Sequence, residues 1–157
     1  MVGRRAVYQL PGIWPVNLRR TNMIWFKNNP QRFAVEKKLL ARFHPGVKII
    51  IKDGQMSVFK KFVTYKNSYL IEAKYSARHP YSPMEVFIRE PYLKKTPPHR
   101  YAKGQLCLHG TSDIGAETTA KVYLDWTEQW IRIYECWLEG KPWPNTNRGK
   151  SRSNRKR

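Results

Sequence analysis

The sequence predicts an α+β domain: an amino-terminal helix, an antiparallel four-stranded meander, a long loop and a long carboxy-terminal helix. Three observations lead there. Asn29-Pro30 opens a stretch that reads as helix to Phe43. Asp53-Gly54 joins two apolar runs as a preferred two-residue hairpin turn. From Thr119 to Glu139, large apolar side chains recur at helical spacing.

Each element has a local cause. Asn29 suits the cap because its side chain can accept from free amides, and Pro30 suits the first helical position. The helix stops at His44-Pro45-Gly46, which makes His44 a helix-end residue. Its apolar stripe is Phe33, Leu39, Leu40 and Phe43, interrupted by Arg32 and Glu36. Val47–Lys52 and Met56–Val63 flank the hairpin turn. After Lys66-Asn67-Ser68, the run Tyr69–Tyr75 alternates, with Tyr69, Ile71, Ala73 and Tyr75 on one face. A proline-punctuated loop, His79-Pro80-Tyr81-Ser82-Pro83, precedes the short apolar run Met84–Ile88. Pro91, Pro97 and Pro98 make residues 89–111 a loop. In the last helix Tyr123, Trp126, Trp130, Ile133, Tyr134 and Trp137 form the apolar face, with Asp125, Glu128, Gln129, Arg132 and Glu139 opposite. Cys136 falls on the polar side, and Gly140 and Pro142 end the helix.

With 157 residues and six Trp, the chain can bury one core without disulfides. Residues 1–29 read as an irregular basic arm packing through Trp14, Ile24, Trp25 and Phe26; residues 30–143 read as the domain, and residues 144–157 as a disordered basic tail. The formal charge of +19 is concentrated at the two ends. Residues 148–157 carry six basic groups and residues 1–29 carry five, neither stretch with an acid. That balance suits an acidic protein surface, a nucleic acid or anionic lipid, or else a solubilising tail with no specific partner. Two cysteines, Cys107 and Cys136, resemble no disulfide framework, and without an amino-terminal apolar h-region or an apolar run of about 18 residues no leader or membrane span is expected. A reducing cytoplasm is the expected compartment, and no membrane partner is expected.

The segment that carries chemistry is Pro97-Pro98-His99-Arg100-Tyr101-Ala102-Lys103-Gly104-Gln105-Leu106-Cys107-Leu108-His109. A thiol between two leucines, after a glycine turn and with histidines on both sides, is either a nucleophile or a small buried apolar side chain. Cys-x-x-Cys, His-Glu-x-x-His and phosphate-binding glycine loops do not occur. A zinc site from His99, Cys107 and His109 lacks a fourth ligand. Neither a metal nor a cofactor is therefore expected, and the chain should not activate its own substrate with ATP.

The order of elements is similar to the ubiquitin-conjugating (UBC, E2) fold. His79-Pro80-Tyr81-Ser82-Pro83-Met84-Glu85-Val86 resembles that family's tyrosine- and proline-rich loop before its fourth strand. Pro98-His99 through Gly104-Gln105-Leu106-Cys107-Leu108 resembles its segment of histidine, glycine turn and active cysteine. Thr127 to Leu138, followed by Gly140-Lys141-Pro142-Trp143, resembles the last helix of bacterial E2-like proteins. Several of those accompany a cGAS-like nucleotidyltransferase in CBASS anti-phage operons, sometimes as a stand-alone E2 without an activating enzyme. Eukaryotic members carry His-Pro-Asn, whose Asn helps stabilise the oxyanion; here the triplet is His99-Arg100-Tyr101, so that role is vacant.

The resemblance implies a cysteine acyl carrier. Cys107 would form a thioester with the carboxyl terminus of a partner, either the nucleotidyltransferase or a ubiquitin-like protein. His99 would order the loop or act as a base; His109 would tune the thiol or simply face solvent. The basic tail would contact an acidic surface of that partner. Two alternatives stand beside this reading: an inert UBC-fold binding module, and a nucleic-acid binder using the basic ends. The last is disfavoured, because the Trp residues are committed to helix packing and the tail interleaves no aromatics.

Overall fold

Asn29 caps the first long helix as its chemistry dictates, its Oδ1 accepting from Arg32 N–H at 3.0 Å. The computed structural model describes residues 24–93 and 96–144. In it a one-turn helix, α1 (Trp25–Asn28), leads into α2 (Pro30–Phe43), which His44 ends. Trp14, with the rest of residues 1–23, and all of the tail beyond Pro144 lie outside the described residues. The short α1 lies within the stretch expected to be irregular, and it buries Trp25 and Phe26. Trp25 meets Phe26, Phe33, Tyr75 and His79 with ring centroids 4.6–6.0 Å apart.

Strands β1 (Lys48–Lys52), β2 (Gln55–Val63), β3 (Ser68–Lys74) and β4 (Glu85–Glu90) form one sheet in the order β1-β2-β3-β4. Every neighbouring pair is antiparallel. At the first turn Asp53 and Gly54 both take positive φ, 52° and 74°, which matches the twist of the strands they join. Tyr69, Ile71, Ala73 and Tyr75 are all buried, as their alternation predicts. Met56, Val58 and Val86 complete the same inner face. The apolar run at Met84 starts a strand that continues to Glu90, two residues into the stretch expected to be loop. The outer face is polar enough to face water, with Arg89 paired to Glu72 across the strands.

Helix α3 (Ala120–Leu138) lies against α2 and β3. Tyr123, Trp130 and Tyr134 are buried as expected, but the buried face is rotated toward Leu124, Thr127, Ile131 and Glu135, while Trp126, Ile133 and Trp137 are half-buried. Two of the buried residues are polar, so hydropathy alone leaves them out. Thr127 is satisfied by donating to Tyr123 O at 2.7 Å, and Glu135 by accepting from the Thr64 and Tyr69 hydroxyls. The helix ends in a Schellman arrangement. Gly140 N–H donates to Trp137 O, Lys141 N–H to Cys136 O, and Gly140 takes φ 91°.

The apparent flaw in the α2 stripe is a second correction. Glu36 is fully buried and ties α2 to α3 and to the segment that follows β3. Its carboxylate accepts from Arg32 Nε, the Tyr75 hydroxyl and the Ala120 N–H, and bonds His79 Nε2, all within 3.1 Å. Ala120 is the first residue of α3, so a negative charge on α2 caps the positive end of α3. Arg32 reaches on to the carbonyls of Ala116 and Thr118, fixing the approach to that helix. Among the described residues no helix is long and apolar enough to cross a membrane.

Candidate active site

Residues 99–107 fold back on themselves as a small hairpin docked beside β4. Gly104 takes φ 93°, and its N–H donates to Tyr101 O across the turn. Tyr101 N–H donates to Gln105 O, Arg100 bridges Leu106, and Cys107 N–H donates to His99 O at 2.9 Å. Leu106 N–H donates to Val86 O, tying the hairpin to the sheet, and its buried side chain anchors it in the core. The glycine turn of the sequence thus has a physical purpose: it brings His99 and Cys107 to opposite ends of one backbone hydrogen bond.

Cys107 is half-buried and carries a free thiol. His99 is exposed, and its φ of 57° is rare for a residue with a side chain. The surroundings hold it there. Its carbonyl accepts from both Cys107 N–H and the Trp130 indole at 3.3 Å, while its ring stacks on Trp143 with centroids 5.6 Å apart. Trp143, set down just after the end of α3, also meets Trp130 and Trp137. His109 packs its ring on Tyr123 and Trp126 and sets Nδ1 against Gly110 O at 2.9 Å. The two histidines therefore flank the cysteine along the chain, but each ring is engaged with aromatic residues.

Beside the hairpin lies a cleft of about 500 Å³ whose walls include Tyr101, Gln105, Leu106 and His109, together with Ser82, Met84 and Glu85. Gln105 Oε1 is buried there without a hydrogen-bond partner among the described residues. Tyr101 is exposed on the hairpin, and its phenol is held above the ordinary pKa first by hydrogen bonding with Cys107, then by that group's charge and by slight burial. Tyr101, Gln105 and Trp143 were not among the residues expected at the site. Tyr101 does stand third in the His99-Arg100-Tyr101 triplet and Trp143 in the Gly-Lys-Pro-Trp stop; nothing local marks Gln105. Cys136, on α3, is half-buried and free.

A family model described as Type II CBASS E2 protein matches residues 36–150. The chain belongs to that family. It is therefore an E2-like protein of CBASS anti-phage defence, and its partners are proteins of the same system. No curated protein matches it. The matched span of this E2-like chain includes most of α2, the whole sheet, the hairpin with Cys107 and all of α3.

Proposed function

We propose that the E2-like chain is a cytoplasmic acyl carrier with a UBC fold, in which Cys107 accepts the carboxyl terminus of a partner protein as a thioester. The partner is a cGAS-like nucleotidyltransferase or a ubiquitin-like protein. The observation that carries the proposal is the half-buried thiol of Cys107, held at the end of a braced hairpin beside an open cleft. A cysteine sealed in the core would have no such access.

The reaction is an acyl transfer. The Cys107 thiol loses its proton to solvent, and the thiolate attacks the carbonyl carbon of a carboxyl terminus already activated by another protein. A carbon–sulfur bond forms, and the bond to the donor's leaving group breaks with its electron pair. Free thiols are only a few per cent ionised near neutral pH, about 3% for a pKa near 8.5, so groups favouring the thiolate accelerate the step. Arg100 and Lys103 add positive charge on the same hairpin. His99 serves by position: its ring on Trp143 and its doubly accepting carbonyl keep the Cys107 backbone in place. His109 shapes the cleft wall and lies two residues from the sulfur.

The test is intact-mass analysis of the chain co-expressed with the CBASS nucleotidyltransferase, without reductant. The expected product is an adduct on Cys107 cleaved by hydroxylamine and thiols. Cys107→Ser should convert it to a more stable ester, and Cys107→Ala should lose it while the protein stays folded. An adduct of undiminished yield on Cys107→Ala removes this cysteine from the mechanism. Partner binding without any adduct on the parent protein favours the inert binding module instead.

A further inference from the structure

A second pocket lies under the end of α3, at the other end of β4 from the Cys107 hairpin. Leu106 is tied to Val86 near the start of β4, whereas this pocket sits beside Pro91 and Tyr92, just past its end. Tyr69, Tyr134, Glu135 and Leu138 supply most of the remaining wall, around a volume of about 220 Å³. Pockets for small organic ligands run to roughly 300–1,000 Å³, so this one suits a single side chain better than a cofactor.

Its floor carries a charge with no counter-ion. Glu135 is 7% exposed. Its Oε1 accepts from the Thr64 hydroxyl at 2.6 Å and from the Tyr69 hydroxyl at 3.0 Å. Among the described residues Oε2 has no hydrogen-bond partner, yet it is not a sealed atom, so the opening left to it is the pocket. Two hydroxyls satisfy one oxygen without neutralising the group, and a buried carboxylate is costly until a cation pairs with it. The two lysines at the mouth are committed elsewhere. Lys66 and Lys141 both pair with Glu139, the latter at 3.9 Å, and Lys66 Nζ also lies 5.3 Å from the Tyr65 ring.

The rest of the lining matches the cation that would answer this charge. Pro91 and Leu138 offer apolar surface to a long side-chain stem, and Tyr92, 93% exposed, stands at the rim. Aromatic faces attract ammonium and guanidinium groups. A metal ion fits less well, because among the described residues no three His, Cys, Asp or Glu side chains come together. Independently of the thioester reading, we propose that this pocket receives the ammonium or guanidinium head of a lysine or arginine side chain from a protein partner. Glu135 is its counter-ion, and Tyr92 closes over the stem.

The experiment follows backbone amide shifts of the isotope-labelled full chain during titration with the blocked amino acids N-acetyl-lysine and N-acetyl-arginine methylamide. N-acetyl-norleucine methylamide, which has an apolar stem and no charge, is the control. At least one cationic probe should shift the amides of Asn67, Leu138 and Glu139 saturably, and bind about tenfold or more tightly than norleucine. Glu135→Gln keeps the shape and should weaken that binding at least about tenfold. Tyr92→Ala removes an exposed ring without touching the packed interior, and should weaken it about two- to fivefold. Equal binding of norleucine overturns the proposal, as does the absence of any saturable shift. Parent-like binding by both variants also overturns it. Binding that emerges only in Lys66→Ala would make Lys66 the pocket's own cation, and that too would sink the assignment to a partner.

Discussion

Replacing Glu36 with Gln keeps the side chain's shape but deletes the charge that Arg32, His79 and the α3 amino terminus converge upon. Burial raises the pKa of this carboxyl, yet the His79 and Ala120 hydrogen bonds and the charges of His79 and Arg32 outweigh it and hold the pKa below 4.5. A depressed carboxylate contributes stability that is present above its ordinary value and lost as pH falls through the folded one. Urea unfolding of the parent should therefore show stability falling on the acid side of pH 4.5, and Glu36→Gln should flatten that limb. At neutral pH the substitution should cost about 3 kcal/mol, since it leaves a buried cationic partner uncompensated. A loss under about 0.5 kcal/mol, the range of ordinary surface changes, would mean the network carries no such charge. Nothing in the local sequence distinguishes Glu36 from a solvated helix residue. Apart from Arg32 one turn away, its partners lie 39, 43 and 84 positions off, so only the folded chain brings them to it.

At the level of elements, the local signals were strong wherever one dipeptide fixes a conformation. Asn29-Pro30 starts α2, Asp53-Gly54 turns β1 into β2, and Gly140 stops α3, each for a reason confined to its own neighbours. Gly140 offers a clean measurement, because a Cβ there would meet nothing within 4 Å. Gly140→Ala should thus cost only the left-handed penalty, about 1–2 kcal/mol by denaturant titration. A neutral result would show that the helix end relaxes to another cap. The rotated face of α3 is the contrasting case. Hydropathy places Trp126 and Trp137 in the core and omits Thr127 and Glu135. The polar pair is admitted because Tyr123 O, Thr64 and Tyr69 satisfy it, whereas the two large rings lie at the margins of the packed face.

Across the whole molecule, charge is the property that tertiary packing leaves untouched. Deleting residues 148–157 removes six positive charges and none of the described helices or strands. The thermal midpoint should stay within about 1 °C, since surface changes of this kind are close to neutral. Binding to an acidic partner should weaken and lose salt dependence, read as a shallower slope of log affinity against log salt. An unchanged slope would place the electrostatic contact elsewhere on the chain. By itself the sequence determined the order of elements, the turn residues, the alternation in β3 and the interest of Cys107, because each is written in neighbours within a few positions. The tertiary structure decided what surrounds that cysteine. It set Trp143 on His99 and buried Glu36 under α3, since contacts between distant residues depend on how helices and sheet pack, and no local pattern encodes that.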